Sequence, residues 1–184
     1  INHYAEYYPG NILPSLRNVH EIDASISDAR RLEQQHILTD DDKEKKSLAA
    51  RIGKAREDLA KRLKDYEPLV ADDQDRALLK KVGDGLAAYL AVQEKVLKAS
   101  EESAADPTQG TVAKDLTFGP ARAAFRAVQQ DVEQWWVYNE KLAAATAESA
   151  RAAYLRVLWI FAGASLVALL AGVAAAVVIT RSIT

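Results

Sequence analysis

The groups from which this 184-residue chain could build chemistry are three histidines (His3, His20 and His36), many acids, serines and arginines, and no cysteine. Thiol and disulfide chemistry are therefore excluded. Glu33-Gln34-Gln35-His36 places a carboxylate and an imidazole three apart, the spacing by which a helix serves a di-iron centre. Such a centre needs a second copy and two more inward carboxylates, and no second copy exists, so we expect no metal and no other cofactor. None of the histidines lies in a motif with a nucleophile, and no glycine-rich phosphate loop occurs. No catalytic residue is assigned, and the chain is not expected to be an enzyme. Lys+Arg 24 against Asp+Glu 26 gives a net charge of −2, which offers nucleic acid no electrostatic footing.

What remains is polar residues set against apolar stripes. At 100° per residue, Arg30 lies about 40° from the centre of the stripe that carries Val19 and Ile26, and Arg31 about 140° away. Arg30 therefore points into the protein and Arg31 out of it. On a third helix the same level falls near Gln93, with Tyr89 one turn lower. On a fourth, Lys114 and Thr117 reach that level if helix extends so far. A guanidinium, an ammonium, an amide and hydroxyls converging there would hold a small anion. The simpler alternative pairs Arg30 with Glu33 or Asp23 on its own helix. If Arg30 anchors a carboxylate, Arg30→Ala is expected to remove about 1.5–3 kcal/mol of affinity while the fold largely survives.

Four helices must position these groups. Apolar residues recur every three or four positions at Ile12, Leu16, Val19, Ile22, Ile26, Ala29 and Leu32, a helix from about Asn11 to Leu38. Pro14 fits its first turn, or else kinks a helix entering from upstream. The acidic run Thr39-Asp40-Asp41-Asp42 reads as a turn and helix start. The second stripe is Leu48, Ile52, Ala55, Leu59, Leu63 and Tyr66, ending before Pro68; Asp72-Asp73 opens the third, with Leu79, Val82, Leu86, Tyr89, Leu90, Val96 and Leu97. Ser103–Thr111 reads as a loop. Phe125, Val128, Val132, Trp135 and Leu142 mark a fourth helix running unbroken from near Pro120, or from Val112 with a kink at Gly119-Pro120, through Thr180. No strand pattern and no repeat appears. The fold class is all-α: an antiparallel up-down-up-down four-helix bundle whose fourth helix continues into a membrane.

That continuation is Val157–Thr180, 24 uncharged residues between Arg156 and Arg181. As a helix it would reach about 36 Å, against about 30 Å of hydrocarbon. Tyr154 and Trp159 lie where amphipathic rings favour the interface, and Arg181 anchors the far side. Lys141, Arg151 and Arg156 precede the span and Arg181 follows it, so charge alone does not orient it. The first residue is not Met, from which we expect a segment preceding Ile1 to have been removed.

The ordered set of these features resembles the sensor domain of bacterial methyl-accepting chemotaxis proteins. It is carried by NILPSL at 11–16, ARRLEQQHIL at 29–38, the Asp-rich start of the second helix, a fourth helix fused to a span, and RSIT at 181–184, which looks like the opening of a HAMP linker. The resemblance implies that residues 1–155 form a periplasmic sensor, 156–180 cross the inner membrane, and 181–184 begin HAMP. It further implies a homodimer with the first helix at its interface and small-ligand sites near the membrane-distal tip; the ligand we expect there is a small organic acid, with a cytoplasmic kinase complex taking the output. Such bundles also precede histidine kinases and cyclases, and some sense indirectly. In aspartate-type receptors, first-helix arginines of both subunits hold carboxylates, and Arg30 and Arg31 match that region. Arg31 would then act only across the dimer. PTQG at 107–110 resembles part of that receptor's ligand region but stands too far from the membrane to be carried over. The resemblance also implies that the fourth helix shifts by about 1–2 Å when ligand binds.

Overall fold

The computed structural model describes residues 8–183, and among these there is helix and turn but no strand. A π-helical turn at Tyr8–Ile12 leads into α1 (Leu13–Leu38), so Pro14 sits in the first α-helical turn of a chain already wound upstream. Next come α2 (Asp42–Tyr66), a 3-10 turn at Glu67–Leu69 containing Pro68, and α3 (Asp73–Glu102). The fourth helix of the bundle is continuous but has three parts: α4 (Pro107–Leu116), a π turn (Thr117–Ala121) and α5 (Arg122–Ile183).

The helix starts follow from side-chain oxygens that accept otherwise unpaired N–H groups. Asp41 accepts from the Lys43 amide at 2.8 Å, Asp72 from Asp75 at 2.9 Å, and Asp106 from Thr108 at 2.9 Å. The last of these corrects the expected loop at 103–111. Only Ser103–Asp106 is non-helical, because Asp106 caps the next helix and Pro107 occupies a first-turn position where no N–H is needed.

The predicted stripes form the core. Val19, Ile22, Ile26, Leu59, Tyr66, Val82, Leu86, Tyr89, Val128, Val132 and Trp135 pack into one buried cluster. Leu32, Leu48 and Ile52, with Leu97 against them, form a second cluster nearer the tip. At the opposite end, a buried Asp75 carboxylate ties together the connection between α2 and α3, α3 itself, and α5. It accepts from Trp135 Nε1 at 2.7 Å, Tyr66 OH at 3.0 Å and the Ala71 amide at 2.9 Å. The Tyr66 ring packs edge-on against Trp135, with centroids 4.3 Å apart. Burial first, and then the Asp75 charge, push the Tyr66 hydroxyl well above its ordinary pKa, so it remains a hydrogen-bond donor. Glycine has a packing role at Gly85, where a Cβ would stand 3.4 Å from Asp131 Oδ2 and 3.5 Å from Val128.

Beyond Asn139 no described residue of the fourth helix is buried. From Pro107 to Ser182 it is long and apolar enough to cross a membrane, and none of its most apolar window is buried. Tyr154 is 59% and Trp159 77% exposed.

The tip carries a second buried polar group. His36 Nδ1 lies 3.0 Å from Ser100 Oγ, and Nε2 is buried without a partner among the described residues. Lys45 Nζ donates to Ser100 O at 2.7 Å and Ser103 Oγ at 3.1 Å. Burial lowers the His36 pKa, Glu101 acts to raise it and Lys45 to lower it further. The folded state thus prefers neutral imidazole, whereas the unfolded chain takes up a proton near pH 6.5. This contribution to stability is complete above about pH 6.5 and is lost as pH falls below it, by at most about 1.4 kcal/mol per pH unit. Urea unfolding at pH 7.5 and 5.0 should show that loss in the wild type and a smaller one in His36→Gln.

Candidate functional site

Between the two apolar clusters every helix contributes a polar side chain at the same level. On α1, Arg30 and Glu33 lie between Ile26 and Leu32 or just past it; on α2, Arg56 lies between Ile52 and Leu59. On α3, Tyr89 and Gln93 lie below Leu97, and on the fourth helix Thr117 opens the π turn. These residues form one connected chain of hydrogen bonds. Arg56 Nε donates to Gln93 Oε1 at 2.9 Å, and Gln93 Nε2 lies 3.1 Å from Ala29 O and 3.0 Å from Tyr89 OH. Tyr89 OH donates to Glu33 Oε2 at 2.8 Å. Glu33 Oε1 takes Arg30 Nη1 at 2.5 Å and the Thr117 hydroxyl. Arg30 Nη1 lies 2.9 Å from Thr117 Oγ1, and Nη2 donates to the Thr117 carbonyl at 2.7 Å.

The turn that Thr117 opens has a cause in the sequence. Pro120 lacks an N–H, so the helical ladder cannot run through it unchanged, and it widens into the π turn. Arg30 supplies donors to the distorted turn from α1 and also lies 5.9 Å from the Phe125 ring centroid. Burial, followed by the Glu33 charge, raises the Tyr89 hydroxyl far above its ordinary pKa and keeps it a donor.

Chemically, the layer surrounds a carboxylate with a guanidinium, a phenol and a threonine hydroxyl, and the carboxylate is the chain's own Glu33. Arg30, Tyr89, Gln93 and Thr117, four of the groups expected at this level, come together here. Arg31 and Lys114 do not: Arg31 pairs with Asp28 at 3.0 Å on the exposed face of α1, and Lys114 is exposed although helix does extend to it. Arg56 was not foreseen. Its signal was a charged residue in register with Ile52 and Leu59, where an apolar residue continues the stripe. Glu33 turns toward the layer and His36 toward Ser100, so the two do not share a ligand. Among the described residues no group of three or more His, Cys, Asp or Glu could hold a metal.

The burial of Glu33 changes what a substitution at Arg30 does. Arg30 is 5% exposed and Glu33 0%. Removing the cation strands a buried carboxylate, so the fold is not largely indifferent to Arg30→Ala, as the sequence alone suggested. Arg30→Met should destabilise by about 3–5 kcal/mol in urea unfolding. Adding Glu33→Gln should recover most of that loss, because a neutral amide needs no counter-charge. A double-mutant cycle measures the coupling, and additive losses would mean the two residues act independently.

A family model described as a four helix bundle sensory module for signal transduction matches residues 10–154. No curated protein matches the chain. The matched segment spans all four bundle helices and both apolar clusters, and it stops just before the exposed apolar stretch. The chain is therefore a member of the four-helix-bundle sensory module family of chemotaxis receptors.

Proposed function

We propose that this chain is the sensing and membrane-crossing part of a chemoreceptor that reads a small organic acid, with a di- or tricarboxylic acid favoured over an amino acid. In this reading residues 1–155 lie in the periplasm, 156–180 span the inner membrane, and 181–184 open a HAMP linker. A homodimer is the working unit and a cytoplasmic kinase complex receives the output. The observation that carries the reading is one uninterrupted helix, from Pro107 through the polar layer at Thr117 to Ser182. A rigid helix does not absorb displacement along its axis. A change of partner at Thr117 therefore reappears near Arg181.

The ligand's carboxylate would act by taking the place that Glu33 holds beside Arg30, Tyr89 and Thr117. Glu33 would then have to take up a proton or turn out of the layer, because one Arg30 does not balance two buried carboxylates. The exchange removes the Glu33 link between α1 and Thr117 and leaves the Arg30 bonds to that turn, so ligand acts as a switch to the extent that it favours one of the two packings. Arg31, exposed on α1, contributes only by reaching a second copy. A second reading, sensing through a partner protein or membrane stress, draws on the fact that Arg30 already has partners within the chain. Calorimetry against a panel of organic acids separates the two.

Signal output is tested at the interface residue Trp159. Moving this tryptophan one or two positions along the span of the full-length receptor should bias kinase activity while ligand affinity changes little. Level output through the series would show that helix displacement is not the signal.

A further inference from the structure

The polar layer contains one cation that no carboxylate neutralises. Arg30 has Glu33 and Arg62 has Glu21, but no ion pair among the described residues includes Arg56. Its Nε donates to Gln93 Oε1, whereas its Nη2 is buried without a hydrogen-bond partner. A guanidinium with one nitrogen buried and unpaired, and with no counter-charge, is under-satisfied. Its planar fork is shaped for the two oxygens of a carboxylate or other oxyanion.

The seam beside Arg56 is thinly covered. α2 packs closely along α1 but meets α3 only sparsely, and Arg56 reaches across that seam to Gln93. Gly53, one turn earlier on α2, adds no side chain, and a Cβ there would meet nothing within 4 Å. The Arg56 side chain is itself half-buried, so a rotamer change brings its fork to solvent.

We infer that Arg56 forms an anion-binding subsite at the seam between α2 and α3 that takes a small carboxylate, with Gln93 Oε1 as the internal acceptor the ligand displaces. The ligand class rests on the carboxylate reading above; the location rests on Arg56 alone. A carboxylate on the Arg56 fork competes with Gln93 Oε1 for Nε. The released Gln93 amide is then free to turn away from Ala29 O and Tyr89 OH. Tyr89 holds Glu33, and Glu33 joins Arg30 to Thr117, so occupancy at the surface of α2 reaches the fourth helix through this chain of bonds.

The test is calorimetry on the whole chain in lipid nanodiscs with succinate, citrate and sulfate as probes, comparing wild type, Arg56→Gln and Arg56→Lys. Helical content by circular dichroism establishes that each variant is folded. Succinate or citrate should bind the wild type, and Arg56→Gln should weaken binding at least about tenfold, as loss of a charge-assisted hydrogen bond does. Arg56→Lys, which keeps the charge but not the fork, should fall between them. Carboxylate binding undiminished in both variants overturns the subsite and leaves the carboxylate reading standing. Sulfate binding that depends on Arg56, with neither carboxylate bound, keeps the subsite and removes that ligand class. Failure of all three probes to bind the wild type overturns the subsite.

Discussion

The buried ion pair between Arg30 and Glu33 is the constraint on which the rest of this bundle depends. Neither charge has water to fall back on, so each needs partners held in place by other helices. Thr117 supplies them from the fourth helix and Tyr89 from α3, with Gln93 and Arg56 extending the chain to α2. A slip of any helix by one turn would leave a charge or a hydroxyl unpaired in the interior. Apolar stripes alone tolerate such slips, because one leucine fills the place of another. The polar layer thus sets the vertical register of four otherwise similar helices.

The same layer divides the core into two apolar clusters and meets the fourth helix where that helix is least regular. The π turn at Thr117–Ala121, imposed by Pro120, has a ladder already altered and a carbonyl bonded to Arg30 rather than held by the helix alone. Below it the helix is regular as far as its described end. At the base, Asp75 gathers Trp135, Tyr66 and Ala71 and fixes α5 against the connection between α2 and α3. A sensory module needs both properties: a place where partners can be exchanged, and a stiff element leading from it. In this chain the ionic and polar contacts gather at the π turn, and the helix below it runs on as the exposed apolar stretch.

Most of the fold was legible in the sequence, because helix-period stripes and acidic caps are local signals. Ile12, Val19, Ile22 and Ile26 are buried as their spacing requires, and Arg30 points in while Arg31 points out. The boundary at Asp106-Pro107 was misread because Gly110 and Thr111 suggested a loop, whereas a capping aspartate followed by proline is a helix start. At the site, Arg30, Tyr89, Gln93 and Thr117 could be brought to one level by counting turns from the tip. Lys114 could not be excluded that way, since its direction depends on the phase of a helix thought to begin later. Glu33 reads in the sequence only as a local partner of Arg30, and Arg56 stands among other charged residues of α2 with nothing local to single it out. The difference is physical: periodicity reports which face is buried, but hydrogen-bond partners more than fifty residues apart along the chain emerge only when the helices are packed.

Native-state hydrogen exchange in wild type and Glu33→Gln tests most directly whether the polar layer holds the fourth helix in place. If Glu33 and Arg30 fix the π turn, the amides around Thr117–Ala121 should lose protection in the variant. Those of α3 around Val82 and Leu86, buried in the lower cluster, should keep theirs. Unchanged protection across Thr117–Ala121, or an equal loss throughout the bundle, would contradict the account.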